Sequence, residues 1–325
     1  MAPDSKVRHP SIIAAQPSEP HRLPRLQFLL LATFVAWSAL FLVACASHGT
    51  AEAEDPPSRS GPYVGPANGA LVVAGGGALG PEIWERFVAL AGGPDARIVV
   101  IPTAGSQNDF DDAWSGLEPL RQAGAGEVTI LHTRNPNEAN ASSFVEPLQR
   151  ATGVWIPGGR QWRLVDAYLH TLVHEELFLL LERGGVVGGT SAGASIQASV
   201  LVRGDPETNQ VLYSPDYEEG FGLLSETAVD QHLLARGRED DLWELLDRHP
   251  DLLGIGLDEG TAIVVHGDRA EVIGVSQALF YDPSEPIRRA RSLQRGSVFD
   301  LGRRAPVPVA VQDDEQSVEI DSPRP

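Results

Sequence analysis

Cysteine is nearly absent from this chain. Cys45 is the only one in 325 residues. That excludes an intrachain disulfide, a cysteine nucleophile in the body of the protein and a thiolate-ligated metal. Positive charge is scarce as well: 25 Lys and Arg stand against 44 Asp and Glu, a formal net charge of −19. Nucleic-acid phosphates need a basic surface, so nucleic acid is excluded as a partner. No segment repeats another, which argues against a solenoid. A zinc-protease motif is missing too. His170 and His174 lie four apart with Glu175 adjacent, but His174-Glu175-Glu176-Leu177-Phe178 does not give the H-E-x-x-H spacing. They read as solvated helix-face histidines, and no metal or organic cofactor is expected. What the chain does have is 42% hydrophobic residues, enough to bury the core of one large α/β domain.

One apolar run is long. Residues 28–44 carry no charge and follow Lys6, Arg8, Arg22 and Arg25. A basic start, an apolar stretch and a small-residue end describe an export signal. The ending Leu42-Val43-Ala44-Cys45 resembles the lipobox of bacterial lipoproteins, which makes Cys45 the expected lipidation site. An uncleaved single-span anchor is the other reading of the run. Either way the folded part lies on the periplasmic or extracellular face, held to a membrane. Residues 1–45 are then the signal. Residues 46–68, rich in Ala, Ser, Gly and Pro, form a flexible tether. Residues 69–311 form one α/β domain, and the acidic 312–325 a disordered tail.

Within the domain, short apolar runs alternate with helical patterns. Strands are expected at 70–74, 97–101, 127–131, 153–156 and 186–187. Helices are expected at 81–91, 111–123, 142–151 and 162–183, the last broken near Thr171. This alternation predicts a mostly parallel sheet with helices on both faces. The runs 253–257, 261–266 and 269–273, with tight turns such as His266-Gly267-Asp268, read as a short antiparallel extension. Sites in such folds gather at the carboxyl ends of the strands.

Two glycine-rich turns sit at those ends. Gly75-Gly76-Gly77-Ala78-Leu79-Gly80 has the dinucleotide-loop spacing, but no acid ends the second strand to hold a ribose. Gly189-Thr190-Ser191-Ala192-Gly193 reads Gly-x-Ser-x-Gly between a strand and a helix. That is a nucleophile elbow, a sharp turn that lifts a serine hydroxyl clear of the sheet. A serine nucleophile needs a base, and the base an orienting acid. Among His232, His249 and His266, His232 is best placed, where an apolar stretch runs into a polar loop. Glu259 is the first choice for the acid because it follows a strand end. Asp258 and Asp230 are its rivals.

Four segments together resemble one family. They are Gly188 to Ala194, Pro157-Gly158-Gly159-Arg160-Gln161, Val229-Asp230-Gln231-His232 with Arg236-Gly237-Arg238, and Gly254 to Ala262. In this order they resemble cyanophycinases, serine exopeptidases of the dipeptidase E group with a glutamine-amidotransferase-like α/β fold. The resemblance implies a Ser191–His232–Glu259 triad and an oxyanion hole at the backbone N–H groups of Gly159 and Ala192. It implies substrate contacts at Gln161, Asp230, Gln231 and Arg238. It also implies a substrate: a polyaspartate backbone bearing arginines, cut from its carboxyl end into β-aspartyl-arginine dipeptides. Family members are commonly dimers, so a homodimer is expected. An α-aspartyl dipeptidase, or a non-catalytic binding protein on the same fold, are the alternatives. Two positions depart from the family pattern: Arg160, where an aspartate is usual, and Asp241, where a second arginine is frequent. Asp241, three residues past Arg238, is expected to pair with it.

Overall fold

The computed structural model describes residues 63–308. The expected signal, the lipidation site Cys45 and the acidic tail all lie outside them. Tyr63 to Asn68, expected as the end of the tether, are already docked on the domain. Val64 is buried and its N–H donates to Asp268 Oδ1 at 2.7 Å. Gly65 N donates to Gly267 O and Gly267 N to Pro66 O.

The first half builds five parallel strands: β1 (Ala70–Ala74), β2 (Arg97–Val100), β3 (Glu127–Ile130), β4 (Gly153–Ile156) and β5 (Val186–Thr190). They lie in the order β1-β5-β4-β2-β3. Side chains alternate across this sheet. Leu71 and Val73 enter one core, while Ala70, Val72 and Ala74 enter the other. Both faces are therefore buried and need helical cover. On the second face lie α1 (Pro81–Leu90), with Pro81 pre-set for a first turn, and α2 (Glu118–Gln122). The expected helix 111–123 is reduced to α2 and a preceding 3₁₀ turn. Asp111 turns locally to cap the Ala113 N–H instead of entering a helix.

On the first face lie α3 (Pro136–Ala139), α4 (Ser142–Arg150), α5 (Trp162–Tyr168) and α6 (Leu172–Glu182). The break between α5 and α6 falls where expected. His170 has φ 59° and Thr171 Oγ1 donates to Tyr168 O at 2.7 Å, closing the turn. The chain then passes the elbow into α7 (Ala192–Ser195), a single buried turn.

The second half corrects the expected short extension. β6 (Ala198–Val200), β7 (Leu224–Gln231) and, after α8 (Asp241–Arg248), β8 (Leu253–Leu257) run parallel to one another. The chain crosses at Asp258–Gly260 into the large sheet, where β9 (Thr261–His266) pairs antiparallel with β1, followed by β10 (Arg269–Gly274). β11 (Gln277–Tyr281) and β12 (Arg291–Gln294) return to the smaller sheet. β13 (Val298–Asp300) and β14 (Ala305–Pro306) close the edge of the larger one. The result is a nine-stranded mixed sheet and a five-stranded sheet in the order β12-β11-β8-β7-β6. Val229, Ile255 and Leu257 of the small sheet pack into the same core as α4–α6, and α8 covers its other face. Residues 253–257 thus belong to a second sheet beside a parallel neighbour. Apolar periodicity cannot tell which strand a short buried run will pair with.

Candidate active site

Ser191 ends β5 at the seam of the two sheets. Its backbone takes φ 55°, ψ −112°, a region L residues rarely adopt, and it is pinned by Ser191 N donating to Ala74 O at 3.0 Å. The elbow tolerates only glycine on either side. A Cβ on Gly193 would lie 1.8 Å from Ile156 O, and one on Gly189 2.2 Å from Gly193 O. The turn therefore presses β5, α7 and β4 together and leaves the hydroxyl half-exposed.

His232 follows β7 with φ 54°, and its N–H donates to Gly75 O at 2.8 Å. Its ring is buried, with Ser191 Oγ 3.0 Å from Nε2 and Glu259 Oε1 2.5 Å from Nδ1. Glu259 sits in the turn from β8 to β9, where the chain passes between the sheets. The three residues come from three strand ends and form one continuous hydrogen-bond line. In it, the neutral imidazole donates from Nδ1 to the carboxylate and accepts the serine proton at Nε2. Burial lowers the His232 pKa from its ordinary value. Glu259 opposes this, and the nearby Arg236 and Arg238 reinforce it. The imidazole is therefore neutral, and able to take a proton, at pH 7.

The rival acids are engaged elsewhere. Asp258 accepts from Leu234 N, Ala235 N and Ser276 Oγ, at 3.1, 3.0 and 2.7 Å. Burial alone would raise its pKa, but these donors hold it below the usual carboxylate range. It fastens the turn after His232 to the strand end that carries Glu259. Asp230 is wholly buried and takes Arg203 through both oxygens, at 2.9 and 2.8 Å. Of the rival bases, His266 bonds to Gly69 O and His249 caps the end of α8. His174 bonds to Phe221 O. Among the described residues no cluster of three His, Cys, Asp or Glu is placed to hold a metal.

Sequence reasoning missed the seat of the relay. Gly76, at φ 114°, passes so close under His232 that a Cβ would lie 2.3 Å from the ring, and a Cβ on Gly77 would lie 2.7 Å from Glu259 Oε2. Gly260 N donates to Gly76 O at 2.9 Å. The triple glycine that resembled a dinucleotide loop is instead the floor on which His232 and Glu259 rest. The missing acid at the second strand was the signal against the nucleotide reading. Nothing local pointed to the floor.

Gly158 runs beside the nucleophile, with space for a Cβ only 3.2 Å from that of Ser191, and Ala192 follows it in the chain. Gly159, at φ 147°, passes so close to the loop after β2 that a Cβ there would lie 2.1 Å from Ala104 O, so only glycine fits. The Gly158-Gly159 segment thus runs beside Ser191, the residue that precedes α7.

The four expected substrate residues form a separate, buried cluster under the segment 202–212. Gln161 Nε2 donates to Val202 O at 2.7 Å. Arg238 donates to Gln231 O and Asn209 O, each at 3.3 Å. Asp241 corrects expectation: its carboxylate accepts from Arg203 Nη2 at 2.7 Å, and its bond to Arg238 is through backbone, Asp241 N donating to Arg238 O at 3.1 Å. Arg203, which no motif marked, is 1% exposed and joins Asp230 to Asp241.

Comparison with known proteins gives the family. The model of peptidase family S51 matches residues 71–273. A cyanophycinase of Geminocystis herdmanii is 32% identical over 209 residues, 62% of this chain and 75% of that protein. One of Synechococcus elongatus is 34% identical over 226 residues, 66% and 69% of the two chains. A peptidase E of Actinobacillus pleuropneumoniae is 23% identical over 196 residues, 57% and 78%. The crystal structure of a peptidase from an acI-B1 Actinobacterium shares the fold, with TM-score 0.58 and 23% identity over 72% of this chain and 97% of that one. The matched span runs from β1 to β10 and contains the elbow, the histidine turn and the acid, and on that ground the chain belongs to peptidase family S51 and is a serine-type peptidase.

Proposed function

We propose that this peptidase is an exported exopeptidase that hydrolyses aspartyl polymers of the cyanophycin kind. Ser191 attacks the scissile carbonyl while His232 Nε2 takes its proton. Glu259 holds the imidazolium that forms, and His232 returns the proton to the leaving amine. The backbone N–H groups of Gly159 and Ala192 stabilise the oxyanion, each such donor being worth about 3–4 kcal/mol in enzymes of this kind. Water then repeats the sequence on the acyl-enzyme. The observation that carries the reading is the unbroken line Ser191 Oγ–His232–Glu259, at 3.0 and 2.5 Å. The similarity to cyanophycinases supports the substrate class. Incubating the full chain with cyanophycin should release β-aspartyl-arginine dipeptides, identified by mass spectrometry. Intact polymer after exhaustive incubation, with a chain whose Ser191 labels with a fluorophosphonate, would contradict the substrate and leave the peptidase.

Export rests on the basic start, the apolar run 28–44 and Leu42-Val43-Ala44-Cys45. On this reading a lipid on Cys45 tethers the domain outside the cytoplasm. Cys45→Ser should abolish metabolic labelling with a fatty acid and release the protein from membranes. An unlipidated wild type would contradict it.

A further inference from the structure

Unpartnered buried donors gather at one place. Among the described residues, Arg160 Nε, Trp162 Nε1 and Arg163 Nε are all buried N–H groups with no acceptor, within four residues that begin directly after Gly159. The charge there is unbalanced as well. Neither Arg160 nor Arg163 forms an ion pair among the described residues. Backbone carbonyls aim them instead: Arg160 Nη2 donates to Asp205 O at 2.5 Å, and Arg163 Nη1 to Ala104 O and Gly105 O at 3.0 and 2.7 Å. Burial lowers the Arg163 pKa, and the repulsion of Arg134 and Arg160 lowers it further. A carbonyl orients a guanidinium but does not neutralise it, so the segment lacks both acceptors and countercharge.

The carboxylates nearby show the reverse. Asp230, the acid suited to a substrate guanidinium, is closed by the chain's own Arg203, whose Nη2 also binds Asp241. None of the three charges is left without a partner, and Asp230 has no exposed surface. A second guanidinium would have to displace Arg203 from a bidentate pair.

We infer that Arg160 and Arg163, in the segment that follows Gly159, receive a substrate carboxylate, and that Asp230 does not read the substrate's guanidinium. This deepens the aspartyl-polymer reading and rests on it for the identity of the substrate. The carboxylate is the free acid of an aspartyl or arginyl unit next to the scissile bond. Its charge supplies the countercharge that the two guanidinium groups lack. A neutral or cationic arm in the same place leaves them unpaired, which is how a site rejects the wrong ligand.

Two arms test this. In the first, tetra-aspartate bearing an uncharged dye is titrated with the full chain carrying Ser191→Ala, at about 0.15 M salt, and anisotropy is read. Tetra-aspartate should bind and tetra-asparagine should not. Arg160→Gln with Arg163→Gln should weaken binding at least tenfold, with Arg160→Lys alone retaining most of it. No binding, or binding indifferent to the double substitution in a folded protein, overturns the inference. The second arm needs no variant at that segment. For the wild type, kcat/KM should agree within about threefold on β-aspartyl-arginine and β-aspartyl-citrulline oligomers, since citrulline keeps the shape and loses the charge. A preference for arginine above a hundredfold overturns the inference and leaves the aspartyl-polymer reading standing. Anion binding with no cleavage of either oligomer does the opposite.

Discussion

The relay and the substrate cluster lie side by side, yet they differ in how each was built. Ser191, His232 and Glu259 occupy three strand ends that the fold itself brings together, on a floor of glycines. Their geometry depends on backbone: two residues at positive φ, the close passage of Gly76, and Asp258 fastening the turn at Leu234 and Ala235. The substrate cluster depends on side-chain charge. Arg203 bridges Asp230 and Asp241, while Arg160 and Arg163 stand without a counterion. Backbone geometry is hard to change without losing the fold. A charge can be exchanged between neighbours in a few substitutions. The reaction is therefore the fixed property of this molecule, and specificity the adjustable one.

The sharpest way to break the comparison is at the relay. His232→Ala should lower kcat about 10⁴-fold or more. His266→Ala, whose ring bonds to Gly69 O, should leave kcat within about twofold. Equal losses would mean that the hydrogen-bond line is not the working one. Gly76→Ala tests the floor. With His232 atoms 2.3 Å from the added carbon, the ring must move, and a displacement near 1 Å is enough for a loss of about a hundredfold in kcat. Steady-state kinetics on a variant with an unchanged circular dichroism spectrum decides it.

Arg203→Met tests the charge cluster. It leaves the buried Asp230 with the Gln231 N–H and, as cation, Arg238 at 3.8 Å. Breaking such a pair costs about 3–5 kcal/mol, read as a fall in the urea midpoint at constant slope. The smallest effect is on pH. The His232 pKa lies below its ordinary value, burial being the largest cause, and the base works only when neutral. The acid limb of kcat/KM should therefore fall below about pH 6.5. Arg236→Gln removes a like charge and should move the limb upward. An unchanged limb would place Arg236 away from the imidazole.

How far the sequence revealed this follows the same division. The elbow is local: five residues define a turn, and glycines at Gly189 and Gly193 signal the close contacts later seen with Gly193 O and Ile156 O. The helix break before Thr171 and the β9–β10 hairpin were also local and legible. The role of Gly75-Gly76-Gly77 was not, because its partners His232 and Glu259 lie more than 150 residues on. The small sheet was hidden for a similar reason: β7 and β8 are short buried runs whose pairing is decided by the packing of α4–α6 beneath them. Asp241 was assigned to Arg238 by helix spacing. But Asp241 is the first residue of α8 and Arg238 lies before it, so the helical rule did not apply. Arg203 sits in an irregular segment with no motif, and only the fold shows that it faces Asp230.

The most direct test of the account is the site of covalent modification by a fluorophosphonate. The full chain is treated, digested and mapped by mass spectrometry across pH. A single adduct on Ser191, formed more slowly as His232 protonates and lost in His232→Ala, is the expected result. An adduct on another serine, or labelling of Ser191 indifferent to His232, would contradict it.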